Sequence, residues 1–91
     1  MSIPQLPLTC HPLPHVIGTR FGDSTVLLDI ENSQYYSLNE AGGIIWALLC
    51  DGVDFATIVE RLRERYPDAG TLEEDARALV LALQQHRLAR P

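Results

Sequence analysis

The sequence predicts an α+β fold in which a three-stranded antiparallel sheet is followed by three helices. Three short segments rich in β-branched and aliphatic residues, separated by turn residues, occupy positions 15–38. Apolar residues then recur at helical spacing in three segments between positions 39 and 86. A length of 91 residues suits one domain, so we divide the chain into an arm at 1–14 and a folded domain at 15–88.

The arm is rich in proline. Each proline removes a backbone donor and fixes φ, so the segment is expected to be extended and to form neither a helix nor an inner strand. The prolines of the arm are Pro4, Pro7, Pro12 and Pro14.

Short turns join the three predicted strands. The first strand is expected at 15–20, the second at 24–30 and the third at 34–38. Gly22-Asp23 is typical of a tight turn, and Glu31-Asn32-Ser33 contains an asparagine, which tolerates positive φ. Strands this close in sequence usually pair with their neighbours, so we expect an antiparallel meander.

The first two helices each begin after a residue that can cap them. Asn39 precedes the first helix and Asp54 precedes the second. Gly52 suits the left-handed position that ends the first helix, and Pro67 stops the second. The expected buried stripes are Ala41, Ile44, Ile45, Leu48 and Leu49, with Trp46 beside them, and then Phe55, Ile58, Val59 and Leu62.

The third helix, expected from Leu72 to His86, has more apolar residues than one buried stripe needs. Thr71 and Glu74 form a capping-box pattern at its start. The expected core stripe is Leu72, Ala76, Leu79 and Leu83, while Ala78, Val80, Leu81 and Ala82 lie to its sides and back. The surplus indicates either deeper burial or a surface for a partner, and both readings stay open.

Charge excludes two classes of partner. The formal net charge is −5, and all seven basic residues are arginines. Nucleic acids and anionic membrane surfaces attract basic proteins, so neither is an expected partner. No apolar run is long enough to span a bilayer and no secretory signal is recognisable, so we expect a cytoplasmic protein.

Residues with catalytic or metal-binding chemistry do not form a recognisable site. His11 and His15 are four apart, but intervening prolines prevent the helix that would bring them together. Cys50 has no base near it in sequence and is expected to pack as a small apolar side chain, unpaired with Cys10. We therefore expect no catalytic residue, no metal and no cofactor.

The third strand is expected to lie at an open edge of the sheet. An open edge is a pairing surface unless it is covered. Tyr35 and Tyr36 lie on this strand, and tyrosine is favoured at interfaces. An exposed edge beside an apolar helix flank is typical of domains that bind an extended peptide as an added strand.

Residues along the domain resemble the PqqD-like family, the peptide recognition elements of ribosomal natural-product pathways. The resemblance covers roughly residues 15–88. It is carried by Val26-Leu27-Leu28-Asp29, Gln34-Tyr35-Tyr36-Ser37-Leu38-Asn39, Ile44-Ile45-Trp46-Ala47-Leu48-Leu49, Asp51-Gly52, Ile58-Val59-Glu60-Arg61-Leu62 and residues 79–83. The Tyr-Ser-Leu-Asn motif is most similar to that of the stand-alone leader-binding proteins of lasso peptide clusters.

The resemblance implies a winged-helix-like fold and a non-catalytic role. Family members bind a leader peptide as an extra strand on their third strand, in a groove closed by the third helix. Carried over to this chain, the peptide-binding residues are Gln34, Tyr35, Tyr36, Ser37, Asp75, Ala76, Leu79, Val80 and Leu83. The implied partners are a precursor leader peptide, a transglutaminase-like cysteine leader peptidase and, as a further candidate, the cyclase.

Two other functions stay open. One is delivery of a precursor peptide to a radical SAM enzyme, although such partners usually carry a proline-glutamate stretch where this chain has Asp29-Ile30-Glu31-Asn32-Ser33. The other is DNA binding by a winged helix. Against it, the third helix carries Glu73, Glu74 and Asp75 beside Arg77 and Arg87.

A domain that only binds needs a second surface for the enzyme it serves. Leu81 and Leu88 are expected to be exposed at the back of the third helix, which favours them as that surface. The alternatives are that the C-terminal residues fold back over them, or that the arm and the first strand contact the enzyme.

Overall fold

A computed structural model describes residues 9–91, which form two small antiparallel sheets and three helices. A two-residue strand near each end of this range forms one sheet, and three longer strands form the other. In chain order the elements are β1 (His11–Pro12), β2 (Val16–Phe21), β3 (Ser24–Asp29), β4 (Gln34–Leu38), α1 (Glu40–Cys50), α2 (Phe55–Arg65), α3 (Leu72–Gln85) and β5 (Ala89–Arg90).

The main sheet is the predicted meander. Its strand order is β2-β3-β4, and both pairings are antiparallel. Each predicted strand agrees with the observed one to within a residue at either end. The three helices follow the sheet, so the α+β prediction is confirmed.

The turn between β3 and β4 is organised by a buried carboxylate. Asp29 is almost fully buried and accepts hydrogen bonds from the backbone N–H of Glu31 and of Asn32 and from the Asn32 side chain. Ser33, not Asn32, adopts the positive φ, at 53°. The predicted turn therefore forms, with the Asn32 amide bonded to Asp29 and the left-handed position taken by the next residue.

Two of the three predicted helix starts form as expected. The Asn39 side chain accepts from the Gly42 N–H, and the Asp54 side chain accepts from the Thr57 N–H. The predicted capping box at the third helix does not form, because the Thr71 side chain makes no hydrogen bond to the helix backbone. Its hydroxyl instead donates to the Asp75 carboxylate at 2.9 Å. The acidic first turn of α3 is therefore tied to Thr71 through a side chain.

The core lies between the sheet and the three helices. Leu27, Ile58, Leu62 and Val80 are among its most buried side chains. Trp46, outside the predicted stripe of α1, is only 5% exposed. The prediction that α1 is buried over a wide arc therefore holds, but its buried positions are Gly42, Gly43, Ile45, Trp46 and Leu49.

The segment before β2 and the C-terminal residues pack against each other. His11 pairs with Arg90 and Pro12 with Ala89, and Leu13 N–H donates to Leu88 C=O. Leu88 is only 2% exposed, so the expectation that it forms a partner surface was wrong. The chain folds back after α3 and buries it, while Leu81 stays exposed. The predicted arm at 1–14 falls partly outside the described residues.

The two cysteines lie in different environments. Cys50 is exposed at the end of α1, so the prediction that it packs in the core was wrong. Cys10 is buried against the core, and burial raises the pKa of its thiol. Both are free thiols. Among residues 9–91, no helix is long and apolar enough to cross a membrane.

Candidate functional site

The outer edge of β4 carries unpaired backbone groups. Ile30 N–H donates to His15 C=O on the β2 side of the sheet. Backbone groups of successive residues point to opposite sides of a strand. Leu27, three residues before Ile30, therefore points its N–H and C=O groups toward β4 and exchanges hydrogen bonds with its partner there. The residues on either side of that partner, Tyr35 and Ser37, therefore point their N–H and C=O groups outward. Within residues 9–91 no strand pairs with this edge.

An apolar cleft of about 510 Å³ opens at the C-terminal end of β4. We call it the β4–α3 cleft. One wall comes from the end of β4 and from α1 and consists of Ser37, Leu38, Asn39, Ala41, Gly42 and Ile45. The other wall and the floor come from α2 and α3 and consist of Leu62, Leu72, Asp75, Ala76 and Leu79.

The residues predicted on the strand lie as an edge requires. Tyr35 is 74% exposed, and Gln34 and Ser37 are also exposed. Tyr36 is half-buried on the helix side, where its ring lies 5.3 Å from that of His86 and its hydroxyl donates to the Gln34 side chain. The groove beside β4 therefore runs from His86, at the end of α3, toward Asp75, near the start of that helix.

The residues predicted on α3 separate into two groups. Asp75, Ala76 and Leu79 line the cleft, although Ala76 is almost fully buried beneath it. Val80 and Leu83 lie inside the core, at 0% and 2% exposure, and present no surface to a groove. The rotation of α3 buries Val80 completely, whereas Leu79 packs against the core and still reaches the cleft.

Asp75 is the one charged side chain among the described residues that line the cleft. Its Oδ2 accepts from the Thr71 hydroxyl. Nearby arginines are engaged elsewhere: Arg63 approaches Glu73 at 3.9 Å, and Arg77 lies 5.1 Å over the ring of Phe55.

A second cavity, of about 340 Å³, lies on the opposite flank of α1, between that helix, β2 and the turn that follows it. Four charged residues line it: Arg20, Asp23, Glu40 and Arg65. Glu40 accepts from the Tyr66 hydroxyl and from the Arg65 guanidinium, and these bonds lower the pKa of its carboxyl. The bond to Glu40 raises the pKa of Tyr66, whereas the pKa of Arg65 is raised first by its interaction with Tyr66 and then by the bond to Glu40. We call this space the β2–α1 cavity.

Metal chemistry has no candidate site within residues 9–91, where no group of three or more His, Cys, Asp or Glu side chains could hold an ion. His15 instead lies in the turn network, with Nδ1 3.3 Å from Glu31 and Nε2 3.7 Å from Asp29. The described residues offer a backbone edge and an apolar cleft, which suit the binding of an extended peptide.

A comparison with protein-family models gives one match. The model described as coenzyme PQQ synthesis protein D (PqqD) matches residues 24–89, most of the chain. The chain belongs to the PqqD family. The resemblance noted from the strand and helix segments is thus confirmed.

Two solved structures of leader-peptide complexes share this fold. One, described as TbiB1 in complex with the TbiA(beta) leader peptide, matches with a TM-score of 0.80 and 28% identity over 88% of this chain and 94% of that one. Another, lasso peptide synthetase B1 complexed with the leader peptide, matches with a TM-score of 0.80 and 28% identity over 92% and 100% of the two chains. A search of curated proteins gives no match.

Several cleft residues were not among those expected from the sequence. Leu38, Ala41, Gly42 and Ile45 come from the junction of β4 and α1. Gly42 carried a signal: a Cβ there would lie 3.2 Å from Leu38 Cβ and 3.5 Å from Leu79 Cδ2. The missing side chain at Gly42 therefore leaves room in the cleft.

Proposed function

We propose that this chain binds the leader region of a ribosomally synthesised precursor peptide, in a lasso peptide pathway, by adding it as a strand to the edge of β4. The observation that carries the proposal is the combination of outward backbone groups at Tyr35 and Ser37 with the apolar β4–α3 cleft beside them. The two similar solved structures, both complexes with leader peptides, support it.

The two parts of the site serve different purposes. Backbone pairing holds any extended chain and gives affinity with little regard to sequence. Side chains of an added strand alternate between the two faces of the sheet, so every second leader residue points toward α3. Those residues meet the cleft, which selects for apolar side chains.

Peptide display on the full chain tests this function. Peptides of twelve random residues are selected on the immobilised protein, and one recovered peptide is titrated by calorimetry. Amide hydrogen exchange is then measured with and without it. We expect slower exchange at Tyr35 and Ser37. Recovery of no peptide, or protection elsewhere with none on β4, would contradict strand addition.

Delivery to a leader peptidase in the cytoplasm is the second part of the proposal. A binding domain accelerates a reaction by raising the local concentration of substrate at the enzyme, and it needs no catalytic residue. It also needs a surface that the leader leaves free. Leu81 is 50% exposed on the flank of α3 away from the β4–α3 cleft, beside Ala78 and Arg77.

A reconstituted cleavage assay tests delivery. Precursor, peptidase and this protein are mixed, and cleavage is expected to require all three. Leu81→Glu is expected to slow cleavage and leave leader affinity unchanged. Cleavage by this protein alone would contradict the non-catalytic role, and an unchanged rate for Leu81→Glu would remove that surface from the proposal.

A second candidate is service to a radical SAM enzyme, favoured by the family description, which names coenzyme PQQ synthesis. The binding step would be the same and only the receiving enzyme would differ. A pull-down of purified candidate enzymes with peptide-loaded protein separates the two, since a true acceptor is retained more strongly than the other.

A further inference from the structure

We propose that Asp75 selects leader peptides that carry a lysine or arginine next to their apolar anchor residue. This inference rests on the proposed strand addition at β4 and adds a second element of specificity to it. The anchor is the side chain that enters the β4–α3 cleft, and the basic residue is the neighbour that reaches the cleft rim.

The charge in the cleft is negative and comes from Asp75. Apart from Asp75, its lining is apolar or neutral, and no cationic side chain lines it within the described part of the chain. An apolar pocket of this kind gives affinity but discriminates weakly among apolar side chains. A carboxylate at its rim adds a requirement that burial alone cannot supply.

Asp75 retains capacity to accept a bond from a ligand. Its Oδ2 accepts from the Thr71 hydroxyl, and among residues 9–91 no hydrogen bond is made to Oδ1. Asp75 is exposed, so its carboxylate meets a ligand without leaving water completely. A charge-assisted hydrogen bond from a lysine or arginine is stronger than a neutral one.

Other charges near the start of α3 do not take this role. Glu73 is paired with Arg63 on the α2 side of the helix. Glu74 lies on the outer flank, where it lines a shallow surface with Arg77 and Leu81 instead of the cleft. Asp75 is thus the acidic side chain of this turn that a strand lying along β4 meets.

Parallel peptide selections test the inference. The twelve-residue random library is selected on the full chain and on Asp75→Asn, Asp75→Lys and Glu74→Gln variants, each checked for folding by circular dichroism. The parent should enrich apolar anchors flanked by Lys or Arg. Asp75→Asn should keep the apolar anchors and lose the basic excess, and Asp75→Lys should enrich Asp or Glu instead. Glu74→Gln removes the same charge from the other flank and should behave as the parent.

Titrations with one recovered peptide give the size of the effect. Replacing its basic residue with glutamine should weaken binding to the parent roughly two- to fivefold and leave binding to Asp75→Asn unchanged. The difference should shrink as salt is raised. A basic excess that persists in Asp75→Asn, or that is absent from the parent, overturns the inference and leaves strand addition standing. Recovery of no β4-binding peptide overturns both.

Discussion

The two edges of the sheet differ in what lies beside them. At the β4 edge, Tyr35 and Ser37 point outward next to a cleft whose lining has a single charge. At the β2 edge the same alternation points Gly18 and Arg20 outward, and the neighbouring β2–α1 cavity is lined by four charged residues.

The difference teaches that open backbone groups alone do not make a peptide site. Either edge can pair with an extended chain. An apolar side chain entering the β2–α1 cavity, however, would meet guanidinium and carboxylate groups that are hydrogen-bonded to one another. Arg65 and Tyr66 already bond to Glu40. Only the β4 edge combines free backbone groups with a surface that gains from burying an apolar side chain.

The largest expected effect comes from removing an outward donor at one edge. Tyr35→Pro or Ser37→Pro eliminates a backbone N–H and constrains φ, so either should weaken leader binding about tenfold or more. Arg20→Pro removes an outward donor at the other edge and serves as the matched control. Calorimetric titration checks all three, and equal losses at both edges would erase the distinction between them.

Cleft and cavity can be compared by truncating one half-buried apolar residue in each. Leu79→Ala should reduce leader affinity about five- to tenfold because it removes apolar surface from the β4–α3 cleft. Ile44→Ala makes a similar truncation in the β2–α1 cavity and should leave affinity within about twofold. Melting temperatures identify any general loss of stability, and a larger affinity loss for Ile44→Ala would reverse the assignment.

The adjacent glycines of α1 allow a finer test. Gly42→Ala places a methyl group between Leu38 and Leu79 and 3.2 Å from the capping Asn39 Oδ1, which narrows the cleft, so affinity should fall about two- to fivefold and the melting temperature should change less than in Gly43→Ala. Gly43→Ala places a methyl group against Thr25 Oγ1, closer than van der Waals contact allows, which pushes α1 away from β3 and should lower the melting temperature. If Gly42→Ala binds normally, the leader does not enter the cleft at that point.

The smallest expected effect comes from replacing Asp29, which organises the turn before β4 and so affects the β4 edge only indirectly. Hydrogen bonding, first from the Asn32 side chain and then from backbone N–H groups, lowers the pKa of Asp29 in the folded state. Its stabilisation is therefore fully present above about pH 4 and is lost as pH falls through that lowered pKa. Asp29→Asn should melt earlier than the parent at pH 7, and the gap should close below pH 4. A gap independent of pH would show that the charge is not responsible.

Local signals in the sequence predicted the elements well. Turn residues and β-branched runs located the strands, and Asn39, Asp54 and Gly52 marked helix ends that depend on neighbouring backbone groups. Such signals act over a few residues. The pairing of residues 11–12 with 89–90 has no comparable local signal, because it joins segments far apart in the chain.

The phase of α3 and the extent of the cleft could not be predicted for a related reason. Every residue from Ala78 to Leu83 is apolar, so periodicity fits more than one rotation of the helix. Packing in the core determines that Val80 is the fully buried one. The cleft further depends on how closely α1 approaches β4 at Gly42. Sequence reasoning placed β4 at an open edge because the three strands are neighbours in sequence, whereas on the helix it mixed core and surface residues.

Placement of the aromatic residues gives the protein two separate optical reporters. The single tryptophan, Trp46, is buried and lines the β2–α1 cavity, away from the β4 edge. Tyr35 and Tyr36 lie on β4 itself. Indole emission should therefore follow unfolding and stay nearly constant when a peptide binds, whereas tyrosine absorbance and near-ultraviolet dichroism should change on binding. Affinity and stability can then be recorded on one unlabelled sample.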